Sequence, residues 1–417
     1  MKKSRLLSVL LCLALLSGLL ATFASAADSG SAILDEMDVN AKAAVLVDPD
    51  TGEILYEKNA HAHNYPASIT KVMTCLLTLE AVDRGELSLE QTVTASSALH
   101  TGIGEGASTA DIKEGEQIRI IDLLYAALIP SANEACNVMA EAVSGDVASF
   151  VELMNTRAAE LGMENTHFVN PSGLHDPEHY TTAYDIYLMA HAAMQYETFR
   201  TIVSTARYVV PATNMSGERN LYTTNALIDN WRIAGYTYSK AIGIKTGTTD
   251  AAGHCLVSSA ARGSRTLVSV VLGCEEVKTE TGGTRVESFT ETARLFDWGF
   301  DNFSTRTVLE SNELICEVPV ALSNEVSTVA VHPASNAEAV LPNDLELDQL
   351  QRTVTLDNDS VNAPVAAGDQ LGAITISYDG VDYVTVPLLA VADVSASSFL
   401  LAKYNIGQFF SRTPVKI

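Results

Sequence analysis

The sequence predicts an α/β (α+β) sandwich, an antiparallel sheet flanked by helices, followed by a small all-β C-terminal domain. Three observations carry this expectation. Strand-like segments lie at both ends of the first 300 residues, and helix-like patterns fill the stretch between them. After Phe300 the pattern changes to short β-rich runs separated by Asn, Asp, Gly and Pro. A chain of 417 residues is also long enough for two or three domains.

Residues 1–26 read as a secretory signal: Lys2, Lys3 and Arg5, an apolar run from Leu6, then Ala24-Ser25-Ala26 as a small-residue cleavage site. The mature protein is therefore expected outside the cytoplasm. Ala43–Asp48 and Asp50–Glu57 pair as a hairpin with Gly52 in its turn. A helix starts at Ser68. Ile69, Val72, Met73, Leu76, Leu77 and Leu79 make it apolar almost all round, which marks a buried helix, and Gly85 is a natural stop. Residues 121–196 are largely helical, with an irregular interruption over 165–179. Strands return over Ala241–Lys245, Cys255–Ala260 and Thr266–Gly273, and Ser288–Gly299 closes the domain as a helix.

The expected domains are residues 27–300, an all-β domain over 301–394, and a tail over 395–417. In the β-domain, Asp379-Gly380 is the turn signal between Ala373–Tyr378 and Val381–Val386. The tail mixes Phe399, Leu400, Leu401, Tyr404, Ile406, Phe409 and Phe410 with Lys403, Arg412 and Lys416. Such an amphipathic segment suits a membrane interface, and docking on the β-domain is the alternative.

Net charge is −25, and −28 once Lys2, Lys3 and Arg5 leave with the signal. So acidic a surface repels nucleic acid and offers no broad basic face to anionic lipid. Five cysteines remain after the signal, an odd number without framework spacing. Cys75 and Cys136 fall in apolar helical patterns as small buried side chains, while Cys255 and Cys274 flank a hairpin where a disulfide is open. No metal or other cofactor is expected. His175 and His179 are four apart, but Pro177 between them removes the helical face that would make that spacing a metal site. Residues 102–106 are glycine-rich yet acidic, and no Lys-Ser/Thr follows, which gives a flexible loop rather than a phosphate cradle, with the rim of the active site as a minority alternative.

The chemistry lies in three short motifs. Ser68-Ile69-Thr70-Lys71 puts a hydroxyl and an amine one helical turn apart, on one face. Ser131-Ala132-Asn133 opens a second helical pattern, and Lys245-Thr246-Gly247-Thr248 follows an apolar strand. This set suits acyl transfer through an acyl-serine. Ser68 is the nucleophile and Lys71 its base, provided burial and a second cation, Lys245, bring the amine toward neutrality. Ser131 relays a proton to the leaving amine, and Asn133 holds Lys71 or the substrate amide. Lys245, Thr246 and Thr248 seat a substrate carboxylate, the backbone N–H groups of Ser68 and Thr248 form an oxyanion hole, and Gly247 keeps the strand clear for substrate.

S-x-x-K, S-x-N and K-T-G, in that order, form the signature set of penicillin-binding proteins and serine β-lactamases. Residues 38–300 resemble the D-alanyl-D-alanine carboxypeptidases, the low-molecular-mass penicillin-binding proteins. Asp122-Leu123-Leu124-Tyr125, Asn170-Pro171-Ser172-Gly173-Leu174, His179–Ala183 and Asp250–Val257 extend the resemblance. Pro364–Gly372 resembles part of that family's C-terminal module. The resemblance implies a penicillin-binding-protein/β-lactamase-like fold, removal of terminal D-Ala from peptidoglycan stem peptides, acylation by β-lactam antibiotics, and a C-terminal amphipathic anchor. Two departures stand out. Ala132 replaces the commoner Gly, and Ser288 falls where the family often has a carboxylate-binding Arg, with Arg285 three residues earlier. A serine β-lactamase is disfavoured because neither Glu160 nor Glu164 begins an E-x-x-L-N pattern. A D,D-endopeptidase is the near alternative, and a wall-binding scaffold with a decayed site the non-enzymatic one.

Overall fold

The computed structural model describes residues 37–278 and 283–412, so the expected secretory signal over residues 1–26 lies outside the described residues. The chain divides into two compact units. One comprises Val39–Arg306 with Ala339–Asp344; the described part of the other is residues 37–38, 307–338 and 345–412.

The first unit is built on a five-stranded sheet. Strands β1 (Ala43–Val47), β2 (Ile54–Lys58), β3 (Ala241–Thr249), β4 (Gly253–Arg262) and β5 (Arg265–Cys274) lie in the order β2-β1-β5-β4-β3. All four pairings are antiparallel. Residues alternate between the two faces of a strand, and both faces here are apolar and covered. Val45, Val47, Val257, Val268 and Val270 join the large helical core. Leu46 and Leu267 point the other way, toward a helix over Glu287–Asn302. Helix and sheet approach there so closely that a Cβ on Gly299 would lie 2.6 Å from Leu46 and 2.9 Å from Leu267. Layered helix, sheet and helix is the architecture expected, and it explains why β1 reads as an unbroken apolar run.

On the core face, helix α1 (Lys71–Asp83) is buried along nearly its whole length. A 3₁₀ turn over Ala67–Thr70 leads into it, and Gly85 ends it in a left-handed conformation with φ of 74°. Helices α2 (Asn133–Ser144), α3 (Ala183–Met194) and α4 (Glu287–Asn302) begin where the apolar patterns predict. Thr182 caps α3 by accepting the Asp185 N–H at 3.0 Å.

Some expectations change. β3 runs four residues beyond its predicted end, so the K-T-G segment is itself strand. Two small hairpins, Thr92–Thr94 with Gln117–Arg119 and Arg207–Val210 with Arg219–Tyr222, add to the unit. Each strand has only three or four residues, too short for an alternation to register. Cys255 and Cys274 are both free, so the open disulfide does not form. His254, rather than Cys255, is the residue opposite Cys274 across the β4–β5 pair.

The second unit carries a six-stranded sheet, antiparallel except where Cys316–Ala321 runs parallel to Val361–Asn362. Gln370–Tyr378 and Val381–Ala390 form its longest hairpin. Asp379 and Gly380 take φ of 50° and 82° in the turn, the sign a tight primed turn needs. Ser398–Arg412 forms a C-terminal helix. Among the described residues no helix is long and apolar enough to cross a membrane.

Candidate active site

The 3₁₀ turn before α1 presents Ser68 at the floor of a pocket of about 260 Å³, with Ser131, Thr246 and Thr248 also on its wall. An adjoining recess of about 530 Å³ is bounded by 104–108, Asn133, Gly173–His175 and Thr248–Ala251. Ser68 and Thr248 border both spaces. The glycine-rich loop lines the recess through Gly104, Glu105 and Gly106, the minority alternative of the sequence reading.

Lys71 is fully buried one turn behind Ser68, and burial pushes its amine down to about 8. Its Nζ lies 2.9 Å from Ser68 Oγ, 2.8 Å from Asn133 Oδ1 and 2.6 Å from the Ser172 carbonyl oxygen. Asn133 Oδ1 and the Ser172 carbonyl only accept. A neutral amine has two N–H groups and one lone pair. With the two N–H groups donated to those acceptors, the lone pair is left for the Ser68 hydroxyl proton.

Each neighbour is itself held in place. Asn133 Nδ2 donates to the Ser108 carbonyl at 2.9 Å. Asn133 thus serves Lys71, the first of its two expected roles. Buried Glu134 accepts from Thr109 Oγ1 and the Ala110 N–H, each at 2.7 Å, and so pins the rim loop to α2. Asn170 Oδ1 accepts the Gly173 N–H at 2.7 Å, and its Nδ2 donates to the Leu174 carbonyl at 2.8 Å, shaping the loop that carries Ser172. His179 Nδ1 accepts the Val169 N–H at 3.2 Å, so the neutral ring carries its proton on Nε2. That Nε2 lies 2.8 Å from Thr70 Oγ1, whose hydroxyl donates to the Ala67 carbonyl. Burial lowers the His179 imidazole to about 4, so it stays neutral at ordinary pH.

Ser131 sits at φ of 70°, an uncommon conformation for a side chain with a Cβ, and its buried Oγ has no partner among the described residues. An unpaired buried hydroxyl on a pocket wall is a group waiting for a ligand atom. Lys245 is buried and donates to the Thr246 carbonyl at 2.9 Å. Burial first, and the charge of Lys71 second, push its amine well below the ordinary range. Burial is the leading cause at both amines, and the repulsion between them is mutual, so it acts on the pair rather than on Lys245 alone.

Gly247 has a different reason from the one expected. A Cβ there would lie 2.7 Å from the Pro66 carbonyl and 3.2 Å from the Ser68 N. Glycine lets β3 close on the nucleophile's own turn rather than clearing a path for substrate. Gly173 does the same from the opposite side, where a Cβ would overlap the Ala67 carbonyl.

Sequence reasoning missed two charged groups at the pocket, Arg232 and Glu276. Arg232, in the exposed 229–236 segment, lines the pocket and makes no ion pair or hydrogen bond among the described residues. Arg285 instead pairs with Glu287 at 2.5 Å, while Ser288 faces the pocket. No local pattern marks Arg232, because the loop that brings it there has no periodicity.

Comparison to known proteins gives the family and the fold. The family model for D-alanyl-D-alanine carboxypeptidases matches residues 30–276. The chain belongs to that family. A second model, the penicillin-binding protein 5 C-terminal domain, matches residues 303–396. Among curated carboxypeptidases of the family, DacF of Bacillus subtilis is 30% identical over 365 residues, covering 88% of each chain. DacC of Escherichia coli is 30% identical and the match covers 94% of each. The structure of penicillin-binding protein 5 from Haemophilus influenzae superposes with a TM-score of 0.68 at 28% identity, over 86% of this chain and 98% of that one.

Proposed function

We propose that this D-alanyl-D-alanine carboxypeptidase family member removes the terminal D-Ala from peptidoglycan stem peptides by way of an acyl-Ser68 intermediate, and that β-lactam antibiotics acylate the same serine. The observation that carries the reading is the environment of Lys71, whose two fixed acceptors leave its lone pair for Ser68. Lys71 takes the hydroxyl proton as Ser68 Oγ attacks the carbonyl carbon of the penultimate D-Ala. The backbone N–H groups of Ser68 and Thr248 hold the oxyanion. Ser131 passes a proton to the departing amine, the C–N bond breaks, and D-Ala leaves. Water then hydrolyses the ester and restores Ser68. Thr246, Thr248 and Arg232 receive the substrate's terminal carboxylate, with Lys245 behind them and Gly247 keeping the strand against Ser68.

The sequence features of residues 1–26 support export, which places the reaction on the outer side of the cytoplasmic membrane. The C-terminal helix supports a peripheral membrane contact, since Phe399 and Ile406 are 74% and 59% exposed.

Intact-protein mass spectrometry after brief penicillin exposure tests the reading, with D-Ala release from an acyl-D-Ala-D-Ala peptide assayed in parallel. A lasting adduct together with D-Ala release is expected, and Ser68→Ala abolishes both. An adduct that vanishes within seconds, without D-Ala release, would instead indicate a β-lactamase.

A further inference from the structure

One side of the pocket carries two side chains, His254 and Glu276, that the proposed reaction does not use, linked by polar contacts to Thr248, which it does. His254 opens β4 beside Thr248 at the end of β3, and its Nδ1 lies 3.3 Å from Thr248 Oγ1. Its Nε2 lies 3.1 Å from Glu276 Oε1, on the short strand β6 (Glu276–Lys278). Thr248, His254 and Glu276 all line the pocket that holds Ser68. We propose that His254, held by Glu276, is a positioning residue that sets the direction of the Thr248 hydroxyl and so controls how tightly the pocket binds the substrate's terminal carboxylate. This inference rests on the carboxypeptidase reading.

The argument is one of donor counting. The Glu276 carboxylate, 3.1 Å from His254 Nε2, has no proton to give, so it favours a proton on Nε2 in either charge state of the ring. In the neutral ring Nδ1 is then bare, and the Thr248 hydroxyl donates to it. The oxygen of Thr248 is left facing the pocket with lone pairs only, which repel a carboxylate. In the imidazolium Nδ1 also carries a proton and donates to Thr248 Oγ1. The Thr248 hydroxyl hydrogen is then free to turn toward the pocket, and the ring adds a positive charge beside the anion. Both changes favour the carboxylate, and charge-assisted hydrogen bonds are the stronger kind.

Several charged and titratable groups surround His254. Glu276 faces it from β6, Arg232 from the 229–236 segment, and Asp250 stands in the turn before it. Cys274 lies opposite it on β5 and Cys255 follows it on β4. Burial pushes both thiols up, so they stay neutral. Deeper in the site, Lys71 gains a proton on going from alkaline to neutral pH. That gain is shared by any variant at position 254, so comparing proteins removes it.

The test uses the full mature chain with Ser68→Ala, which stops turnover. Calorimetry gives the dissociation constants of an N-acyl-D-Ala-D-Ala peptide and of its C-terminal amide at pH 5.5 and 8.0. The acid is expected to bind more tightly at the lower pH, and His254→Gln to shrink that preference by on the order of tenfold. The amide should show no such loss. Thr248→Val removes the hydroxyl but keeps the ring charge, so it is expected to reduce the preference too, which keeps the test decisive if the first variant does not fold. An undiminished pH preference in either variant, or the same loss with the amide, would overturn the proposal. D-Ala release by the unmodified chain separates the two levels. Release combined with an undiminished preference sinks only the role of His254, whereas no release sinks the carboxypeptidase reading beneath it.

Discussion

Lys71 and His179 are two buried nitrogen bases whose burial has opposite uses. Lys71 must change charge to act, and burial brings its amine to about 8, close enough to neutrality to exchange a proton. Its proton is lost as pH rises through that value, so the fraction able to accept the Ser68 proton grows in the same direction. The rate of penicillin acylation is expected to climb with pH and level off above about 8. Lys71→Ala should leave a slow rate without that limb, which quenched-flow mass spectrometry measures. His179 must not change charge, because its ring ties Thr70 to Val169. Its imidazole is lowered from 6.5 to about 4, so the unfolded chain binds the proton first as pH falls. The contribution to stability is whole above 6.5 and is lost as pH falls toward about 4, a change of about 3 kcal/mol. Urea unfolding at pH 7 and pH 5 should show this slope, and His179→Gln should flatten it. If both proteins lose stability equally between those values, the ring is not the group responsible.

At the scale of elements, the site is a meeting of β3, α2 and the 170–174 loop around the turn that begins α1. Contact between β3 and that turn depends on Gly247, because any side chain there meets the Pro66 carbonyl. Gly247→Ala should push the strand away by a few tenths of an ångström. Overpacking of this kind costs about 1–3 kcal/mol. Displacing Thr248 from Ser68 should also slow acylation on the order of a hundredfold, which penicillin-labelling rates would reveal against circular dichroism as a control for folding. A variant that labels at the original rate would show that the turn tolerates the bulk. Much at this scale was legible in the sequence. The apolar α1, the sheet strands and the three motifs announce themselves by periodicity and spacing, and the fold class follows from their order. What was not legible depends on contacts between distant segments. Ser172 offers Lys71 a backbone carbonyl, which no residue type encodes. Arg232 reaches the pocket from a loop, and Gly247 answers to Pro66, 181 residues earlier in the chain.

At the scale of the whole chain, charge and the C-terminal helix pull in different directions. The protein carries −25 overall, so an anionic bilayer repels it at long range. The helix over Ser398–Arg412 nevertheless presents Phe399, Tyr404 and Ile406 to solvent at 74%, 42% and 59% exposure. Apolar side chains on an amphipathic helix bind a bilayer by burying area in the interface, and that term does not need lipid charge. The mature chain is therefore expected to co-sediment with zwitterionic phosphatidylcholine vesicles, whereas a chain ending at residue 397 should stay in the supernatant. Salt discriminates the mechanism further. Screening shortens the reach of the repulsion, about 10 Å at 0.1 M salt and about 3 Å at 1 M, so added salt should strengthen binding to vesicles containing anionic lipid. Binding driven by Lys403 and the terminal basic residues would weaken with salt instead. If the full and shortened chains partition alike onto both vesicle types, the exposed face of the helix has some other use, and the membrane contact proposed for it falls.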